Sequence, residues 1–236
     1  MSIEGSIIHQ DFLEICEFLP ENFVDLLILD SPYDLSKNYN GRRFRNRTKS
    51  QFREWFTGVI KSIRPLLMRS ASIYVCSEWR TSLLISDILD KEFIVRNRIT
   101  WERDRGRGAL RNWKNASEDI SFCTVSDHYP FNRADVMTKC KVLAPYTNKN
   151  GTPKDWTEES GSRFRLTCPS NLWTDITVPS WSMPENTDHP TPEPEKLIAK
   201  LVLASSNPGE FVFDPFIGSG TTAVAVNKLR IQFADV

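Results

Sequence analysis

The chain has 236 residues, of which 40% are hydrophobic and 25% charged, values that suit one large globular domain or a domain carrying an insertion. Its formal net charge is zero, so bulk charge singles out no partner, and its apolar runs fall far short of the ~18 residues that span a bilayer. The start, MSIEGSIIHQD, lacks a basic segment followed by an apolar one, which argues against a secretory signal and for a cytoplasmic protein. Five scattered cysteines with no C-x-x-C pair read as free thiols, and three histidines without ligand spacing predict no metal.

In chain order, residues 6–11 predict a short strand ending on Asp11, followed by a helix over FLEICEFL and a strand over 24–29. Apolar residues at 52, 55, 56, 59, 60 and 63 predict an amphipathic helix over 51–67. SIYVCS at 72–77 predicts a strand and 79–90 a helix. FIVRNRITW at 93–101 and DISFCTV at 119–125 predict two antiparallel strands. From 126 to 188 the periodicity breaks down in a stretch rich in Pro, Asn, Thr and Trp, read as an irregular insertion. A helix over 193–206, a strand over 211–213, a helix from about 220 and a strand from Ile231 complete the chain. Alternation of strands and helices predicts a mostly parallel sheet covered on both faces.

Two corners carry chemistry. The apolar residues Val24, Leu26, Leu27, Ile28 and Leu29 drive into Asp30-Ser31-Pro32-Tyr33, a carboxylate followed by a stiff turn and an aromatic ring. In FVFDPFIGSGTTAVAV a strand ends on Asp214, and Gly218-Ser219-Gly220 turn into a helix opened by Thr221 and Thr222. In doubly wound sheets ligands sit at such strand ends, against helix N-termini. The turn is neither a phosphate-binding loop, since no Lys follows it, nor G-x-G-x-x-G. The chain has no Pro-Cys dipeptide, which argues against a covalent thiol mechanism; Cys16 and Cys76 fall in apolar patterns and read as core.

Together, D-S-P-Y at 30–33 and F-D-P-F-I-G-S-G-T-T at 213–222 resemble the catalytic and S-adenosylmethionine-binding motifs of the β-group DNA amino-methyltransferases of type II restriction-modification systems. The order, catalytic motif first, is that group's order. H-Q-D at 9–11, SIYVCSEW, NRITWERDRGRG, Leu172-Trp173-Thr174-Asp175 and H-P-T-P-E-P-E-K-L at 189–197 extend the likeness over nearly the whole chain. Ser31 stands where the family usually has proline, and Glu193 where it often has lysine.

The resemblance implies a Rossmann-like, circularly permuted, doubly wound and mostly parallel methyltransferase sheet with a target-recognition insertion. Residues 1–125 form the catalytic half, 126–188 the recognition segment and 189–236 the cofactor half. The family's last strand leads to an acidic residue for the cofactor ribose. Here the chain stops at Val236 just after Asp235, which predicts a cofactor half truncated in its last strand.

The reaction implied is methyl transfer from S-adenosylmethionine to the exocyclic N6 of a flipped-out adenine in double-stranded DNA. Asp30 and the Ser31 carbonyl accept the two amine N–H bonds, Pro32 fixes φ and Tyr33 stacks on the base. An ordinary carboxylate, with a pKa of about 4, cannot deprotonate a neutral amine in advance, so proton loss accompanies or follows transfer. Asp214, Phe216, Gly218 and Gly220 line the methionine end of the cofactor, with Ser219, Thr221, Thr222, His189 and Thr191 nearby. Asp11 either binds the adenine amino group of the cofactor or caps the helix after it. Cytosine-N4 methylation is the alternative; a catalytically inactive DNA-binding remnant and methylation of RNA or a protein glutamine are further readings. A homodimer and a companion restriction endonuclease are compatible partners.

Two basic clusters, Arg42, Arg43, Arg45, Arg47 with Lys49, and Arg103, Arg105, Arg107, Arg111 with Lys114, follow predicted strand ends and suit phosphate contact. Trp101 is read either as a stacking partner near the target base or as core.

Overall fold

The structure, a computed structural model, describes residues 5–31, 38–39, 42–43, 47–103, 110–177, 194–229 and 232–235. The first half runs β1 (Ser6–Ile7), α1 (Phe12–Ile15), β2 (Val24–Leu29), β3 (Asn38–Tyr39), β4 (Arg42–Arg43), α2 (Lys49–Ile63), β5 (Leu67–Ser77), α3 (Ser82–Glu92), β6 (Ile94–Glu102) and β7 (Ser117–Thr124). The second runs β8 (Thr138–Lys141), β9 (Thr157–Glu159), β10 (Ser162–Thr167), β11 (Leu172–Trp173), α4 (Glu195–Ser205), β12 (Phe211–Asp214), α5 (Thr221–Leu229) and β13 (Gln232–Asp235).

Eight strands form one sheet in the order β1-β13-β12-β2-β5-β7-β6-β11. Only β7 runs against the others. The apolar run Leu26–Leu29 of β2 follows from burial on both faces, with Asp25 near its start accepting from the Phe211 amide. Leu27 and Leu29 pack with Phe52, Phe56 and Ile60 of α2 and with Ile85 and Leu89 of α3. Leu26 and Ile28 point the other way, toward Leu197 and Leu201 of α4 and Val226 of α5.

Helix α2 begins earlier than its apolar period predicts. Thr48 Oγ1 accepts from the Gln51 amide at 3.2 Å, and Gln51 Oε1 accepts from the Thr48 amide at 2.9 Å, a reciprocal cap that fixes the start.

The segment read as irregular is not uniform. Strands β8, β10 and β9 make a separate antiparallel sheet. β11, in contrast, pairs in parallel with Thr100–Trp101 of β6, and Trp173 and Ile176 are buried in the main core. The last strand, β13, pairs on both sides, with β12 through Asp214↔Asp235 and with β1 through Ile7↔Asp235. No described helix is long and apolar enough to cross a membrane.

Candidate active site

The two corners meet. β12 and β2 are neighbours, in register Val212↔Leu26 and Phe213↔Leu27. Asp214 therefore stands level with Ile28, and Asp30 follows two residues on at the same edge. The two carboxyls are close enough for the charge of Asp30 to act on Asp214. Ser31, directly after Asp30, is buried.

Asp214 is itself buried. The Phe216 amide donates to its Oδ1 at 3.0 Å, and the Thr222 hydroxyl donates to its Oδ2 at 2.6 Å. Burial pushes its carboxyl up to a pKa of about 7; the two hydrogen bonds oppose that shift and the Asp30 charge adds to it. The corner thus holds its acid by a backbone amide on one oxygen and a helix hydroxyl on the other.

Gly218 and Gly220 have φ of +56° and +84°, a left-handed backbone that glycine adopts without strain. An added Cβ at Gly220 would meet no atom within 4 Å, so the turn opens onto free space beside α5. Ser219 Oγ and Thr221 Oγ1 share a hydrogen bond of 3.0 Å across it. A buried acid, an open glycine turn and the hydroxyls at a helix start form a cradle with room for a ligand.

Phe216 also ties the corner to the first basic segment. Its ring lies 6.1 Å from that of Trp55, and the Arg47 guanidinium sits 4.3 Å over the Trp55 ring. Arg47 is therefore placed beside the glycine corner.

Asp11 caps α1, its Oδ1 accepting from the Leu13 amide at 2.9 Å. That is the second of the two roles its sequence left open. Trp101 does not face a ligand. It is 1% exposed, its indole N–H donates to the Ile176 carbonyl at 2.9 Å, and Arg103 lies 5.2 Å over its ring. Arg103 is correspondingly engaged with Glu118, at the neck of the β6–β7 loop, with both side chains largely buried. Trp101 takes the core role, one of the two its sequence left open, and Arg103 is held in an ion pair rather than projecting into solvent.

Arg111 is exposed. Arg42 and Arg43 form β4, which pairs with β3 in a two-stranded ribbon. Pro32, Tyr33, Arg45, Arg105, Arg107, His189 and Thr191 lie outside the described residues.

Sequence reasoning passed over three large apolar side chains in loops that open on the same edge. Trp79, just after β5, is 57% exposed with the Arg80 guanidinium 5.4 Å from its ring; Leu110 and Trp113 are exposed in the loop after β6. Their signal was present, an aromatic residue directly behind a strand end in S-E-W and another inside an arginine-rich loop. Charge counting alone hid it.

A cavity of about 320 Å³ lined by residues including Tyr74, Phe122, Trp173 and Lys200 shares no residue with the two corners. Among the described residues no three His, Cys, Asp or Glu side chains gather in a way that could hold a metal ion.

Residues 24–234 match the profile of the DNA methylase family, a profile of N6/N4 methyltransferases. The chain belongs to this family. The DNA adenine methyltransferase YhdJ of Escherichia coli strain K12 is 31% identical to the methylase over 232 residues, covering 95% of this chain and 76% of that protein. In fold the methylase is similar to the cytosine-N4-specific PvuII DNA methyltransferase, with a TM-score of 0.72 at 16% identity over 98% of this chain and 81% of that one. It is also similar to M1.HpyAVI in its complex with SAM, with a TM-score of 0.62 at 23% identity over 98% of this chain and 92% of the other. Both likenesses show the doubly wound methyltransferase fold.

Proposed function

We propose that the methylase transfers a methyl group from S-adenosylmethionine to the N6 of adenine in duplex DNA. The observation that carries this reading is the adjacency of Asp30 and Asp214 at the ends of neighbouring parallel strands. It puts a carboxylate acceptor beside an open glycine turn.

The residues of the second corner fit S-adenosylmethionine. Asp214, Phe216 and the Gly218–Gly220 turn would hold its methionine end, with Thr221 and Thr222 at the start of α5. When bound, this group supplies an electrophilic methyl on a positively charged sulfur. The Asp214 carboxylate, itself buried and held by Phe216 and Thr222, offsets positive charge from beside the turn.

Asp30 accepts one N–H of the target amine and the Ser31 carbonyl accepts the other. This turns the nitrogen lone pair out of conjugation and aims it at the methyl. Positive charge that develops on the nitrogen is stabilised by Asp30 and leaves as a proton. Tyr33 stacks on the extruded base.

The leading aspartate of D-S-P-Y and the 31% identity to an adenine enzyme favour adenine. Cytosine N4 is the second reading, since its exocyclic amine presents the same two N–H bonds. Incubation of DNA with the methylase and S-adenosylmethionine, followed by digestion and nucleoside mass spectrometry, separates the two. N6-methyladenine is the expected product; N4-methylcytosine gives the second reading, and no methylated nucleoside overturns both.

A further inference from the structure

We propose that Leu110 and Trp113 form a wedge that enters the DNA duplex and fills the space in the base stack left by the target base, an inference that rests on the DNA-methylation reading above. Leu110 is 103% exposed and Trp113 96% exposed. Single exposed apolar residues are ordinary. Two nearly naked ones, three positions apart in a polar loop, are not. A Trp offers roughly 150–250 Å² of surface for burial, and here the chain covers almost none of it.

Position gives the pair a target. β6 runs parallel to β2 and β12, so the loop that leaves its C-terminal end opens on the edge that carries Asp30 and Asp214. Three strand spacings of ~4.8 Å separate β6 from β2 in the sheet, roughly 14 Å in all.

The neck of this loop is firm. The Arg103 amide donates to the Ala116 carbonyl at 2.8 Å, and the Arg103–Glu118 pair closes it beside Trp101. Leu110 and Trp113 therefore belong to a loop whose two ends are held by strands of the central sheet.

Charge complementarity selects nucleic acid as the occupant. Exposed Arg111 lies between the two apolar side chains in sequence and Lys114 follows Trp113, with no acid from 110 to 116. Basic groups hold the phosphates while an apolar side chain parts the stack. Extrusion of a base costs its stacking, and a planar indole in the vacated step restores much of it.

The test compares the wild type with Trp113→Ala, Leu110→Ala and Trp113→Phe. Binding is measured by fluorescence anisotropy on two duplexes of one sequence, one intact and one with a single abasic site. The wild type should prefer the abasic duplex by roughly 10-fold or more, Trp113→Ala should lose that preference, and Trp113→Phe should keep most of it. Methyl transfer is then compared on duplexes with the target base paired or mispaired. Trp113→Ala should lower kcat/KM on the paired duplex by roughly 10–100-fold and recover most of that loss on the mispaired one.

An unchanged abasic preference in Trp113→Ala overturns the wedge. So does an equal loss on paired and mispaired DNA, or sedimentation showing that the two side chains instead join copies of the chain. If the wild type methylates no DNA, the methylation reading fails, and the abasic-binding comparison still decides the wedge.

Discussion

Asp30 and Asp214 finish neighbouring parallel strands whose motifs lie at opposite ends of the chain. Burial, opposed by hydrogen bonds from Thr222 and Phe216 and reinforced by the charge of Asp30, raises the Asp214 carboxyl to a pKa of about 7. The fold therefore places at this corner an acid that resists ionisation until something positive stands beside it.

This relationship predicts a pH effect on stability. Asp214 ionises at its ordinary value of 3.8 when unfolded and at about 7 when folded. Between those values the folded state holds one more proton, so this group makes stability fall as pH rises through the window, and above it the cost is fully present. Asp214→Asn cannot titrate, yet its amide oxygen still accepts from the Phe216 amide. Thermal melts from pH 4.5 to 8 should show a shallower decline for the variant and a higher Tm than wild type at pH 8. Parallel curves would remove the shifted acid from the account.

Asp30→Asn should separate chemistry from cofactor binding. The substitution keeps the shape of the side chain and removes the charge proposed to meet the target amine. Single-turnover methyl transfer is expected to fall on the order of 10²–10³-fold, the loss typical of one preorganised electrostatic partner. Calorimetric affinity for S-adenosylmethionine should stay within a few-fold of wild type, because Asp214 keeps its hydrogen bonds to Phe216 and Thr222 and its burial, the largest cause of its shift. Turnover near the wild-type rate would mean that another group accepts the proton.

Trp101→Ala should act as a core lesion. Removing a buried Trp leaves a cavity and an unpaired Ile176 carbonyl, at a cost of roughly 3–5 kcal/mol in urea unfolding. Trp101→Phe should cost less and leave DNA affinity unchanged. A loss of DNA affinity in a fully folded Trp101→Phe protein would restore the stacking role that its burial excludes.

Two arginines from one cluster should behave differently. Arg103→Ala strips the partner from largely buried Glu118 and should cost stability, roughly 3 kcal/mol at the low end for a broken buried pair that keeps some contact with water. Arg111→Ala should leave the melt unchanged, weaken DNA binding at every sequence and lower the salt slope by about 0.9, one phosphate contact. Anisotropy titrations at several salt concentrations, beside urea curves, test both.

Much of this was legible in the linear chain. The apolar run of β2 and the period of α2 report burial directly, because side-chain direction repeats every two or about 3.6 residues. The acids at the strand ends and the glycines behind Asp214 mark corners for the same local reason. The small sheet of β8, β9 and β10 left no such mark. Its strands are short and none of their residues is buried, so the brief alternation in SRFRLT does not stand out from its polar surroundings.

Which side chains remain available to a ligand was not written locally at all. Trp101 and Trp113 both sit among arginines, yet the first is closed off by a carbonyl 75 residues away and the second stands in solvent. Arg103 and Arg111 diverge for the same cause, a facing glutamate on β7 for one and solvent for the other. Residue type and spacing determine what a side chain can do. Partners distant in sequence, brought alongside by strand pairing, determine whether its energy is spent inside the fold or left for a substrate.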